Sequence, residues 1–215
     1  MSTHFINLLR KHYSFVIPYL IFLIFAFCVE VSFSKSDLFL LINKYHSPFF
    51  DRFFEMITWL GDGKMVLLVG VCFCMVKYRY SVLTLFAFGY TSVITYVLKV
   101  LFDAPRPSAF FAGKHEIRTI PGLETHDWNS FPSGHSASAF TLSIVLMHIL
   151  PYKYRGAIIF PLALIVIFSR LYLAQHFFQD VVAGSILGTF LTFQMIWWLE
   201  NSKWYHSSKL DGKIF

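Results

Sequence analysis

Residues 131 to 140 read FPSGHSASAF, and an apolar run from Ser136 to Tyr152 follows directly. A proline, two serines, a glycine and a histidine therefore stand on the threshold of a segment long enough to cross a bilayer, which needs roughly 17 to 25 residues. A helix start by itself asks only for a cap and a proline, here Ser130 as N-cap and Pro132 in the first turn. Gly134 lets another group approach the backbone closely, and His135 can exchange protons near neutral pH. The free N–H groups and dipole of a helix N-terminus make an anion site. A lone histidine in that place also has a purely structural reading, so the rest of the chain has to decide.

The remainder is a membrane protein by composition. Of 215 residues, 56% are hydrophobic and only 14% charged, against about 25% charged in soluble domains. Apolar stretches at Ser14–Phe33, Val82–Leu98, Ser136–Tyr152 and Val181–Leu199 are clean candidates for spans. Met65–Val76 is short, and Gly156–Ala174 carries Ser169 and Arg170 near its end. Counting both predicts an all-α polytopic membrane protein, a six-transmembrane-helix bundle forming a single domain over residues 1–215. Arg10 and Lys11 precede the first apolar core as they would in a signal peptide, but the core is too long and no small-x-small site follows Phe33, so this span is expected to stay as an anchor. Cys28, Cys72 and Cys74 are odd in number and sit in apolar runs, which points to packing rather than a disulfide framework or zinc site.

Basic residues in short connections mark the cytoplasmic side. Arg10, Lys11, Lys77, Arg79, Lys153, Arg155, Lys203, Lys209 and Lys213 all fall on one side of a six-span path, so both termini are expected in the cytoplasm. The longer segments, about residues 34–64 and 102–133, then face outward, and a bacterial inner membrane suits a chain with such short loops. In the first of them, SPFFDRFFEMITWL has phenylalanines at helical spacing and charges elsewhere, the pattern of an interfacial amphipathic helix or an ordinary cap on the bundle. The net charge of +6 follows from this topological bias and from anionic headgroups, and calls for no nucleic-acid partner.

Charged groups in or beside spans are functional candidates because they are costly. Lys99 ends the third span, where alone it would simply snorkel. Arg106 follows in KVLFDAPRP, bracketed by prolines that stop the helix and present it from a stiff turn. SRLYLAQHFFQD carries Arg170, with His176 and Asp180 four apart. On a helix those two share a face, and a carboxylate on one ring nitrogen fixes the tautomer and leaves the other lone pair free. By itself that pair could equally be a buried ion pair holding two helices. The predicted topology, however, brings Lys99, Arg106, Ser133, Gly134, His135, Arg170, His176 and Asp180 to one outer face. Three cations and a helix N-terminus describe a pocket for a multiply charged oxyanion, for which phosphate is the obvious occupant, and two histidines supply chemistry.

With these residues in place, the chain resembles the type 2 phosphatidic acid phosphatase superfamily. Its signature K-x6-R-P, P-S-G-H, S-R-x5-H-x3-D occurs in order as Lys99, Arg106 and Pro107; Pro132 to His135; and Ser169, Arg170, His176 and Asp180. The resemblance implies an integral-membrane lipid phosphatase that works through a phosphohistidine without metal or organic cofactor. It implies His176 as nucleophile, Asp180 orienting it, and His135 as the acid and then the base. Lys99, Arg106, Ser133, Gly134 and Arg170 would hold phosphate. The partner would be a phospholipid or isoprenoid lipid phosphate: undecaprenyl diphosphate, phosphatidylglycerophosphate, phosphatidic acid or lipid A. Phosphoryl transfer to a lipid or sugar hydroxyl, and non-catalytic lipid binding or transport, are the alternatives.

Overall fold

The computed structural model describes residues 3–151 and 155–214. Among them the regular structure is all helical, without strands, and residues 112–133 form a long non-helical connection before the helix that opens with the histidine motif. Its helices are α1 (Thr3–Lys11), α2 (Tyr13–Ser32), α3 (Lys35–Lys44), α4 (Pro48–Ile57), α5 (Gly63–Cys72), α6 (Tyr78–Phe102), α7 (Pro107–Phe111), α8 (Gly134–Ile149), α9 (Arg155–Tyr172) and α10 (Phe178–Glu200).

Each of the six apolar stretches is helical over most of its length, but they do not all meet the length of a span on their own. Four segments are long and apolar enough: α2, α6 with α7, α9 and α10. A fifth is reached if α4 and α5, with their short 3-10 turns, count as one span bent by 55°. The helix that opens with the histidine motif, α8, has 16 residues, about 24 Å at the usual rise. It tolerates this shortness because α6, α9 and α10 surround it, and Ser136 to Val145 are buried without a break. The outer faces of α2 and α6 instead expose Ile17, Ile21, Ile24, Phe25, Val93, Val97 and Leu101, as lipid-facing surfaces do.

Small residues let α10 lie hard against α8. A Cβ at Gly184 would overlap the Ser133 carbonyl oxygen, and one at Gly188 would overlap the Ala137 carbonyl oxygen. The G-x-x-x-G pair thus serves packing inside the bundle. Gly184→Ala forces α10 away from the start of α8, and such overpacking costs about 1–3 kcal/mol. Thermal unfolding in detergent should show a midpoint several degrees below wild type, with loss of activity because Ser133 moves; an unshifted midpoint contradicts the close approach.

Across the bundle centre, Thr192 donates to Thr141 (3.1 Å) and Thr141 to Thr91 (3.3 Å), so these buried hydroxyls satisfy one another. At the end away from the histidine motif, His148 lies between His12 (3.2 Å) and Glu200 (3.1 Å), a partnered packing role. The basic residues of that end sit in the last turn of α1, near the starts of α6 and α9 and after α10, while Lys153, like Tyr152 at the end of the fourth apolar stretch, lies outside the described residues. Lys77 and Arg79 pair with Asp211 (2.7 and 3.1 Å), which straps the C-terminal segment to the start of α6.

Several sequence expectations need correction. Cys28 and Cys72 are exposed on the bundle's outside rather than packed within it; only Cys74 is half-buried, and it donates to Ser81. The segment 34–64 holds two helices before its 3-10 turn, not one. In α4, Phe54 is buried against Tyr172 (4.6 Å between ring centroids) and Phe168 (5.5 Å). Arg118, in the second long segment, makes a two-pronged ion pair with Asp51, which also accepts from the Tyr172 hydroxyl (2.7 Å). That contact ties the long connection before α8 down onto α4.

Candidate active site

Four helix ends converge at one end of the bundle: the C-termini of α6 and α9 and the N-termini of α8 and α10. Lys99 lies in the last turn of α6. The helix stops at Asp103, whose positive φ of 36° begins the turn into the Pro105-Arg106-Pro107 step. Arg106 donates its backbone N–H to Asp127 O (2.7 Å) and its side-chain Nε to Trp128 O (3.1 Å). Lys99 donates to Asn129 O, and Asn129 is itself left-handed with φ 57°. Three consecutive carbonyls, 127 to 129, thus hold the first two cations in place.

Helix α8 starts three residues later than the sequence suggests. Ser133, not Ser130, is the N-cap: its oxygen accepts from Ser136 N (3.3 Å) and from the Ser136 hydroxyl (3.0 Å), and its N–H donates to Asp180 O (2.9 Å). Pro132 precedes the helix. Only the hydroxyl hydrogen of Ser133 is left for another partner. Gly134 faces Lys99, with the lysine Cε 3.7 Å from where its Cβ would be. His135, half-buried, is the second helical residue and lines a cavity shared with Lys99.

The third cation, Arg170, is only 7% exposed. It donates to the Thr58 hydroxyl (2.8 Å) and to Gln175 Oε1 (3.4 Å), while its Nε has no partner. Gln175 Oε1 also accepts from Arg106 (3.3 Å), so one amide yokes two guanidiniums. A cluster of like charges with an unpaired buried donor is an incomplete arrangement that an anion would complete.

His176 does not share a helix with Asp180, contrary to the sequence reading. It lies in the turn after α9, where Ala174 takes φ 55° and the Gln175 and His176 N–H groups both donate to Arg170 O (3.0 and 3.3 Å). Phe177 is the N-cap of α10, and Asp180, in its first turn, reaches back to accept the Phe177 N–H through Oδ2 (2.9 Å). That same oxygen accepts the Ser130 hydroxyl (2.6 Å) and lies 3.5 Å from His176 Nδ1. The Asp–His contact is therefore a by-product of helix capping, steadied by Ser130. His176 is 1% exposed. Burial holds its pKa well below the ordinary imidazole range; Asp180 pulls it upward, and Arg106 and Arg170 push it further down. That direction favours the neutral imidazole, whose lone pair is available.

Ser130 and Gln175 were not anticipated as site residues. Gln175 directly precedes His176 and follows Arg170 by five residues, which is a weak signal; nothing local distinguishes Ser130. Among the described residues, no three His, Cys, Asp or Glu side chains are gathered to hold a metal ion.

Comparison with known proteins identifies the family. The chain is 27% identical over 166 residues to the lipid A 4'-phosphatase of Bacteroides thetaiotaomicron, covering 72% of each chain. It superposes on the crystal structure of Aquifex aeolicus LpxE with a TM-score of 0.66 at 29% identity, over 74% of this chain and 93% of that one. A PAP2-type phosphatidylglycerolphosphate phosphatase from Bacillus subtilis superposes with a TM-score of 0.65 at 27% identity, over 89% and 98%. The family model for the PAP2 superfamily matches residues 65–204, which take in every convergent helix end just described, and the chain accordingly belongs to the PAP2 superfamily of lipid phosphatases.

Proposed function

We propose that this chain hydrolyses a phosphate monoester or diphosphate on an outer-leaflet lipid through a phosphohistidine at His176, without a metal ion. One observation carries the reading: a buried histidine, with Nδ1 turned to Asp180, is set beside Arg106 and Arg170, which one glutamine yokes together. With Nδ1–H directed at the carboxylate, the lone pair is on Nε2. Nε2 attacks phosphorus, an N–P bond forms and the ester or anhydride P–O bond breaks. His135 gives its proton to the leaving oxygen. Water then attacks the phosphoenzyme, His135 takes up the proton, and the N–P bond breaks to release inorganic phosphate. Lys99, Arg106, Arg170, the Ser133 hydroxyl hydrogen and the Gly134 N–H neutralise the charge on the equatorial oxygens. These fixed cations take the electrostatic part that a divalent ion plays elsewhere.

The lipid class follows from the setting. A pocket at the ends of apolar helices is reached most directly by a headgroup whose tails stay in the bilayer. The relatives' names point to lipid A and phosphatidylglycerophosphate; undecaprenyl diphosphate and phosphatidic acid complete the set to be tried. We read six crossings, with α4 in the interface, both termini in the cytoplasm of a bacterial inner membrane, and the site facing outward. The basic residues at the opposite end of the bundle support that orientation.

The test is release of inorganic phosphate by purified protein from these four lipids. Orthovanadate should inhibit at micromolar levels as a five-coordinate phosphorus mimic, and EDTA should leave the rate unchanged. Inactivation by EDTA, restored by added Mg²⁺, overturns the metal-free reading.

A further inference from the structure

A cavity of about 270 Å³ opens beside His135, bounded by α6, α8 and the Gly61-Asp62-Gly63 turn before α5. Its walls include Thr95, Lys99, Gly134, His135 and Ser138, with Gly61 and Gly63 at the turn, so it adjoins the phosphate-holding groups at Lys99 and Gly134. His176 is not among them. Thr95 is decisive here. It is 5% exposed, and its Oγ1 has no hydrogen-bond partner. Other hydroxyls on the same helix are satisfied: Thr84 donates to Tyr80 O (2.7 Å), and Thr91 accepts from Thr141 (3.3 Å). A helical threonine ordinarily has its own i−4 carbonyl at hand, so an orphaned hydroxyl in a buried wall is costly unless something enters the cavity to meet it. Thr95 also lies one turn before Lys99, on the same face of α6.

We infer that this cavity is the leaving-group subsite, and that it selects phosphate monoesters borne on an uncharged, hydroxyl-bearing headgroup such as a sugar or glycerol, with Thr95 as a specificity-determining residue. The inference rests on the phosphatase reading above. In-line attack by His176 sends the departing oxygen to the opposite side of phosphorus. His135, the proposed proton donor to that oxygen, lines this cavity. The headgroup carried by the oxygen must therefore lie between His135 and Thr95. A diphosphate would put a second phosphate there, yet among the described lining residues the only cations are Lys99 and, when protonated, His135. Arg106 and Arg170 are not part of the wall. A larger groove of about 920 Å³ between α2, α3, α4 and α9 is lined by apolar side chains throughout, so it does not compete for a polar headgroup.

The test uses three probes with the full-length protein in detergent: an acylated glucosamine 4-phosphate, dodecyl phosphate and farnesyl diphosphate. Wild type should turn over the glycolipid with the highest kcat/KM and the diphosphate with the lowest. Thr95→Val keeps the shape and removes the hydroxyl. It should reduce the ratio of kcat/KM on the glycolipid to that on dodecyl phosphate about tenfold, the scale of one lost hydrogen bond. Thr95→Ser should restore the ratio. If the valine variant fails to fold, Thr95→Ala, which only removes atoms, reports the same ratio. An unchanged ratio in a folded variant, or a wild-type preference for farnesyl diphosphate, overturns the subsite. Failure of wild type to release phosphate from any of the three instead overturns the phosphatase reading, and the subsite with it.

Discussion

His176→Ala lowers kcat by roughly 10⁴ to 10⁶-fold, the range for removing a catalytic nucleophile, while the protein still folds. The fold should survive because the neighbours of His176 do not depend on it. Asp180 keeps the Ser130 hydroxyl and the Phe177 N–H, so the start of α10 stays capped. The turn that carries residue 176 is held by backbone bonds to Arg170 O, which alanine makes equally well. The loss should fall on kcat rather than on substrate binding, since Lys99, Arg106 and Arg170 remain to hold phosphate. Two measurements check this together: phosphate release, and alkali quenching of the enzyme with radiolabelled substrate. Wild type should retain acid-labile phosphate on the chain and the alanine variant none. Residual activity above about a hundredth of wild type would place the nucleophile elsewhere.

The groups that sequence made legible are those whose charge is out of place. Lys99, Arg106, Arg170, His176 and Asp180 stand out because an apolar chain in a bilayer has few places for them. Their spacing against six apolar stretches was enough to bring them to one end of the bundle. Residues of ordinary polarity gave no such contrast. Ser130 meets Asp180 across 50 positions, and Gln175 meets Arg106 across 69; contacts of that separation exist only once the helix ends have converged. The Asp51–Arg118 pair, 67 apart, is the same case. The helices of the first long segment were better signposted. Ser34-Lys-Ser-Asp37 is a capping pattern, and the Ser34 oxygen does accept from Asp37 N (3.1 Å). Ser47-Pro48 marks the second start in the same way, with Ser47 capping Phe50 N (3.3 Å). The second helix carries the stronger amphipathic pattern, so it stands out in the sequence where the first does not. The start of α8 was misplaced for a local reason: Ser130 and Ser133 are equally good caps by type, and only the cluster around Asp180 decides between them.

Asp180→Asn separates two duties that one carboxylate performs. As a cap, Asp180 accepts the Phe177 N–H through Oδ2. An asparagine oxygen in the same place does this too, and helix α10 and the thermal midpoint then change little. As a partner of His176, Asp180 supplies a negative charge and an acceptor for Nδ1–H. If the amide oxygen faces Phe177 and Ser130, the cation that forms on a phosphorylated His176 loses its counter-charge. If the amide nitrogen takes the place of Oδ2 instead, Nδ1 must become the acceptor, the proton moves to Nε2, and the lone pair needed for attack is gone; the Phe177 cap goes with it, so a lowered thermal midpoint marks this orientation. Either orientation strikes the chemical step, and kcat should fall about 10³ to 10⁴-fold, as when the carboxylate orienting a catalytic histidine is neutralised. The 3.5 Å separation between Asp180 and His176 does not weaken this expectation, since such contacts tighten when substrate charge enters the site. The measurement is kcat for phosphate release alongside thermal unfolding of the same preparation. A folded variant with less than tenfold loss would reduce Asp180 to a helix cap, and orientation of His176 would then fall to the remaining neighbour of Nδ1, the Ser130 hydroxyl at 3.4 Å.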